Sequence, residues 1–180
     1  MSTTCKVFIA TSLDGFIAKP DGNIEWLDHP SYIIEGEDFG YIEFFSGIDA
    51  IVMGRNSYEK VLSFDIDWPY EKPVIVLSTK TLSLPKELEG KVILMNGNPL
   101  EITGQCVELG IHSLYIDGGI TIQQFLRAGL IDELTITKIP VILGDGIPLF
   151  RNLDDVLLEL LKVKSYDNGF VQLTYKPKYT

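Results

Sequence analysis

Two short segments of this sequence set glycine beside groups that suit a phosphate. Met53-Gly54-Arg55-Asn56-Ser57 gives a glycine, a cation and a hydroxyl in close succession, and Asp117-Gly118-Gly119-Ile120-Thr121 gives two glycines and a threonine. Glycine lets backbone come close to a ligand, and a helix start presents unpaired N–H groups with a partial positive charge. The guanidinium of Arg55 matches the geometry of a 2′-phosphate. Ser78-Thr79-Lys80 would add donors at another strand end. The plainer alternative is that the glycines serve tight turns, Ser57 and Thr121 cap helices, and Lys80 is solvated. Taken together, two anion sites on one sheet edge fit the pyrophosphate of a dinucleotide.

Asp38 is the acid that stands out. At helical spacing it shares a face with Ile42 and Phe45, and a carboxylate there is expensive unless something donates to it. A neighbouring backbone group satisfies it, or a substrate with adjacent N–H groups does; Glu37 is the inward acid if the helix starts differently. Other chemistries lack their residues. The only histidines are His29 and His112, too scattered for a metal site or a nucleophile triad, so no metal is expected. No Walker-type loop occurs, and Gly144-Asp145-Gly146 has Leu149 where a dinucleotide fingerprint needs its third glycine. It reads as a tight turn.

The elements that must hold these residues fit one domain spanning residues 1–180, with no repeat or linker. At 46% apolar, 22% charged and 11% aromatic the composition is ordinary for a globular chain. Fifteen basic and 25 acidic residues leave a net charge of −10, which argues against nucleic acid and anionic membrane as partners. Cys5 and Cys106 read as buried thiols in a reducing compartment. Met1-Ser2-Thr3-Thr4 leads into Cys5-Lys6-Val7 without a leader, and no apolar run is long enough to span a membrane. A cytoplasmic location is expected.

Apolar runs predict strands at Val7–Ala10, Ala50–Met53, Pro73–Ser78, Val92–Met95 and Ser113–Ile116, and a long one over Ile131–Leu143. Helices are predicted over Glu37–Gly47, Asn56–Leu62, residues 99–109 and Thr121–Ala128, the last two closed by Gly110 and Gly129. Residues 13–36 read as a long loop. Asp167-Asn168-Gly169 signals a hairpin pairing Leu157–Ser165 with Phe170–Tyr175. The fold class is therefore α/β, with a mostly parallel sheet and antiparallel C-terminal strands. The hairpin and the 131–150 strand offer edges that a homodimer would cover.

Ile9-Ala10-Thr11-Ser12-Leu13-Asp14-Gly15-Phe16-Ile17-Ala18, Trp26, Ile51 through Glu59, Val76-Leu77-Ser78 and Asp117-Gly118-Gly119 occur in an order that resembles dihydrofolate reductase-like proteins. The closer resemblance is to the reductase domain of the bifunctional riboflavin-biosynthesis deaminase–reductase, through Ser12-Leu13-Asp14-Gly15, Ile131-Asp132-Glu133-Leu134 and Pro140 through Phe150. It covers residues 5–175. The resemblance implies a three-layer fold with helices on both faces of the sheet and an NADPH-dependent reductase acting on a small heterocycle. By it, Gly54, Arg55 and Ser57 match the cofactor phosphate loop, Ser78 the adenine-side strand end with Thr79 beside it, and Gly118, Gly119 and Thr121 the pyrophosphate-facing turn. Ala10 and Trp26 match positions near the nicotinamide and a mobile loop. Asp38 matches the acid that grips the pterin, sixteen residues before Gly54, and Asp14 would contact a substrate sugar. Asp117 departs from the pattern, standing where the family often has another glycine. The deaminase zinc signature is absent. The substrate stays open between a ribosylaminopyrimidine phosphate, dihydrofolate and an unrelated small molecule, and a non-catalytic nucleotide-binding role is the alternative of another class.

Overall fold

The computed structural model describes residues 3–64 and 66–179; Met1 and Ser2, read above for a leader, lie outside them. Ten strands and four α-helices follow in chain order: β1 (Thr4–Ser12), β2 (Phe16–Ala18), α1 (Tyr41–Ser46), β3 (Ala50–Gly54), α2 (Arg55–Leu62), β4 (Val74–Leu77), β5 (Val92–Met95), α3 (Pro99–Glu108), β6 (Ser113–Asp117), α4 (Gly119–Arg127), β7 (Glu133–Ile139), β8 (Ile147–Pro148), β9 (Leu157–Ser165) and β10 (Val171–Lys178). Eight of the strands form one sheet in the order β5-β4-β3-β6-β1-β7-β10-β9. Pairing is parallel from β5 to β7, and β10 and β9 close the sheet antiparallel. Strands β2 and β8 make a separate small pair.

The interior strands read as near-continuous apolar runs because both faces are covered. On one face Val7, Val52 and Leu114 pack with Ile102 and Cys106 of α3 and Ile122 and Phe125 of α4. On the other, Ile51, Met53 and Tyr115 pack with Tyr58 of α2 and Phe44 of α1. Helices on both faces of a mostly parallel sheet is the architecture expected above. Cys5 and Cys106 are buried free thiols, pushed up to about 12 and about 11, chiefly by burial.

Four expectations are corrected. The helix expected over Glu37–Gly47 is only Tyr41–Ser46. Phe39 and Gly40 both have left-handed backbone, φ 56° and 82°, and Asp38 accepts from the N–H groups of Gly40 and Ile42, so the side chain competes with helix from outside it. Asp38 thus lies before the helix rather than on its apolar face. The strand expected to reach Leu143 ends at Ile139, where Pro140 has no N–H for the ladder and the Val141 N–H turns back to Ile139. Finally, β7 sits between β1 and β10 and offers no edge; the edges are β5 and β9. The 13–36 segment is less irregular than expected, holding β2 and 3-10 turns at Glu25–Asp28 and Pro30–Tyr32.

Candidate active site

The two glycine junctions meet. Strands β3 and β6 are parallel neighbours with Met53 opposite Asp117, so the starts of α2 and α4 lie side by side at the carboxyl edge, where open α/β sheets bind ligands. Gly118 has φ 84°, which a side chain resists, and a Cβ there would collide with Ser57 Oγ. A Cβ on Gly54 would come 3.2 Å from Thr121 Oγ1, and one on Gly119 2.9 Å from the Ile17 side chain. Four of the residues singled out by sequence, Gly54, Ser57, Gly118 and Thr121, therefore meet in one cradle, with glycine required at Gly118 by both its φ and its contact with Ser57.

A cleft of about 740 Å³ runs from this cradle along the sheet edge. Its lining includes Ala10, Gly54, Arg55, Ser57, Ser78, Thr79, Gly118, Gly119 and Thr121, the whole set expected to hold a nucleotide. The Ser78 hydroxyl donates to the Lys80 carbonyl at 2.8 Å and accepts from the Lys80 N–H at 3.0 Å, which fixes that strand end. Arg55, Lys60 and Lys80 all face the cleft, a local gathering of cations in a chain of net charge −10. Arg55 is held by Glu59 at 3.1 Å, one helical turn on. Unpaired helix-start N–H groups, hydroxyls and cations on one wall fit a phosphorylated dinucleotide.

The three residues expected to act on substrate lie outside this lining. Asp38 is spent on the cap of α1, and those N–H bonds, first that of Ile42 and then that of Gly40, hold its carboxyl below the usual range. Asp14 accepts from the N–H groups of Leu143 and Gly144, at 3.2 and 2.8 Å, tying the β1–β2 turn to the loop before β8. The Ser12 hydroxyl, then these N–H groups, lowers its carboxyl to about 2. Trp26 stands in the first 3-10 turn with its indole N–H buried and unpartnered, while its neighbours Ile24 and Leu27 face the cleft.

The acid that does face the cleft is Asp117. Burial raises its carboxyl pKa, opposed by bonds from the Gly118 N–H and the Tyr115 hydroxyl. The one proton of that hydroxyl is shared between two acceptors, the Phe8 carbonyl at 2.8 Å and Asp117 Oδ1 at 3.4 Å. Tyr70 also lines the cleft; burial, then the charge of Asp117, raises its phenol. The sequence held one sign of this site: an acid ending the apolar run Leu114-Tyr115-Ile116 is expensive unless it works. Tyr70 gave no sign.

The profile of the RibD C-terminal domain family matches residues 4–172. A crystal structure from Shewanella sp. PV-4, carrying a provisional riboflavin-biosynthesis name, is 43% identical, covers 99% of this chain and 100% of its own, and superposes with a TM-score of 0.91. The diaminohydroxyphosphoribosylaminopyrimidine deaminase/5-amino-6-(5-phosphoribosylamino)uracil reductase of Thermotoga maritima is 18% identical with a TM-score of 0.77, over 98% of this chain and 57% of that one. Dihydrofolate reductase of Enterococcus faecalis, in complex with NADP(H), is 18% identical with a TM-score of 0.67, over 99% and 100%. The fold is thus dihydrofolate reductase-like.

Proposed function

This chain belongs to the RibD C-terminal domain family, and we propose that it is an NADPH-dependent reductase of a small heterocycle, a pyrimidine carrying a sugar phosphate being the leading substrate class. The observation that carries the reading is the cradle in which Gly118 leaves no room for a Cβ beside Ser57. Gly54, Ser57, Gly118, Gly119 and Thr121 would hold the pyrophosphate, and Arg55, Ser78 and Thr79 the 2′-phosphate. When bound, the coenzyme supplies the hydride; the protein orients the two rings and excludes water. Ala10, Ile17, Tyr70 and Asp117 line the same cleft and would border the substrate. The raised carboxyl of Asp117 retains a proton to higher pH than an ordinary aspartate and so suits delivery to a substrate nitrogen or oxygen.

Dihydrofolate reduction is the weaker reading, because Asp38 makes its bonds to its own backbone and lies off the cleft. The test is loss of NADPH absorbance with a ribosylaminopyrimidine phosphate and, separately, with dihydrofolate. Turnover of the first and not the second is expected, with Asp38→Asn keeping most of it. Calorimetry that detects no heat with NADPH or NADH would remove the reductase reading altogether.

A further inference from the structure

Tyr115 is buried on an interior strand, where a phenol needs a partner for its one proton. Two acceptors are within reach, the Phe8 carbonyl and, farther off, Asp117 Oδ1. Pairing of β1 with β6 stops at Lys6 opposite Tyr115, and the Phe8 carbonyl lies beyond that last rung. The Tyr115 ring is packed edge-on against Phe44, with centroids 5.1 Å apart, but its hydroxyl proton turns about a single bond. The proton therefore changes acceptor without moving the ring.

Burial, then the charge of Asp117, raises three phenols around that carboxyl: Tyr115 on its own strand, Tyr41 of α1 and Tyr70 in the segment before β4. Among the described residues only Tyr115 is within hydrogen-bonding distance of it. The other charged groups of the cleft are the cations Arg55, Lys60 and Lys80, and none of them pairs with Asp117 among the described residues.

We propose that the Tyr115 hydroxyl is a positioning group for Asp117, donating to the Phe8 carbonyl while the carboxyl is protonated and turning to Asp117 Oδ1 once the carboxyl has given its proton up. This rests on the reading of Asp117 as the proton donor of a reductase. In that step the carboxyl O–H bond breaks and its proton goes to a substrate nitrogen or oxygen, while the adjoining carbon takes the coenzyme's hydride. The carboxylate keeps the electron pair until solvent returns a proton. A buried carboxylate without a donor is costly. A charge-assisted bond that strengthens only as the proton leaves favours the transfer and not the resting acid.

Carboxyl-carbon NMR of the free protein, without nucleotide or substrate, follows Asp117 across pH. Tyr115→Phe is expected to raise its midpoint by about one pH unit or more, since the carboxylate loses a donor that the acid does not need. Circular dichroism checks that the variant is folded. In the wild type the Phe8 carbonyl carbon is expected to move upfield through the same midpoint, as it loses the phenol's proton; this signal decides the matter if the variant does not fold. In NADPH oxidation with a ribosylaminopyrimidine phosphate, the limb that falls at alkaline pH is expected to move up with the carboxyl midpoint, and the plateau to drop several-fold. A midpoint that a folded Tyr115→Phe leaves in place, a Phe8 signal blind to Asp117, or a lower plateau with an unmoved midpoint would overturn the proposal. A carboxyl midpoint that moves while turnover has no such limb supports the hydroxyl's part and overturns instead the reading of Asp117 as proton donor.

Discussion

Arg55 and Glu59 form an exposed i, i+4 pair, the kind worth well under about 1 kcal/mol, so the guanidinium changes partner at little cost. Arg55→Ala is expected to weaken NADPH binding about tenfold or more, a charge-assisted bond being worth roughly 1.5–3 kcal/mol, and to leave NADH nearly unchanged. Fluorescence titration with both nucleotides checks this; equal losses would show that Arg55 does not read the 2′-phosphate. At Asp117 the folded pKa is raised, chiefly by burial. The folded protein therefore holds that proton more tightly than the unfolded chain, and stability declines as pH rises from the ordinary aspartate value through the raised one. Asp117→Asn is expected to keep or raise the melting temperature at neutral pH while lowering turnover at least tenfold. Melting curves and turnover across pH decide it: a less stable variant with full activity would make this carboxylate structural. Asp117 was legible as a residue but its burial was not, since strand β6 alone does not reveal what covers its end.

At the scale of elements, the apolar runs of β1, β3, β4, β5 and β6 and the glycine stops of α3 and α4 could be read from sequence because burial on both faces imposes them. Helix α1 could not. Its six residues are too few for periodicity to fix a boundary, and the left-handed turn at Phe39-Gly40 is held from far along the chain, where Gln172 donates to the Phe39 carbonyl at 3.0 Å and the Phe39 ring packs on Tyr166 and Phe170. Asp38 was misplaced for the same reason. The other end of α1 depends on Lys72, whose ammonium donates to the carbonyls of Phe45, Ser46 and Ile48 and sits 5.1 Å from the Phe45 ring. Lys72→Met keeps the aliphatic stem but removes the ammonium from the Ser46 and Ile48 carbonyls, while the Phe45 carbonyl keeps the Ile48 N–H. A loss of about 1–3 kcal/mol is expected, read as a lower urea midpoint at unchanged slope. An unchanged midpoint would mean that solvent satisfies the carbonyls equally well.

For the whole molecule, the net charge of −10 and the three cations of the cleft pull an anionic ligand in opposite directions at different ranges. A phosphorylated dinucleotide approaching from solvent meets the summed acidic field first, and the local cations only near contact. Salt screens the long-range part most: the Debye length falls from about 30 Å at 0.01 M to about 8 Å at 0.15 M. Contact pairs inside the cleft are screened much less. The association rate for NADPH is therefore expected to rise a few-fold between those ionic strengths, opposite to the fall seen when a basic surface steers an anion. The dissociation rate, which on this reading Arg55 and the glycine cradle set, is expected to rise less than the association rate does. Stopped-flow quenching of tryptophan fluorescence separates the two rates. An association rate that drops steeply with salt would show that Arg55, Lys60 and Lys80 dominate the field well beyond the mouth of the cleft, and that the acidic surface plays no part in the encounter.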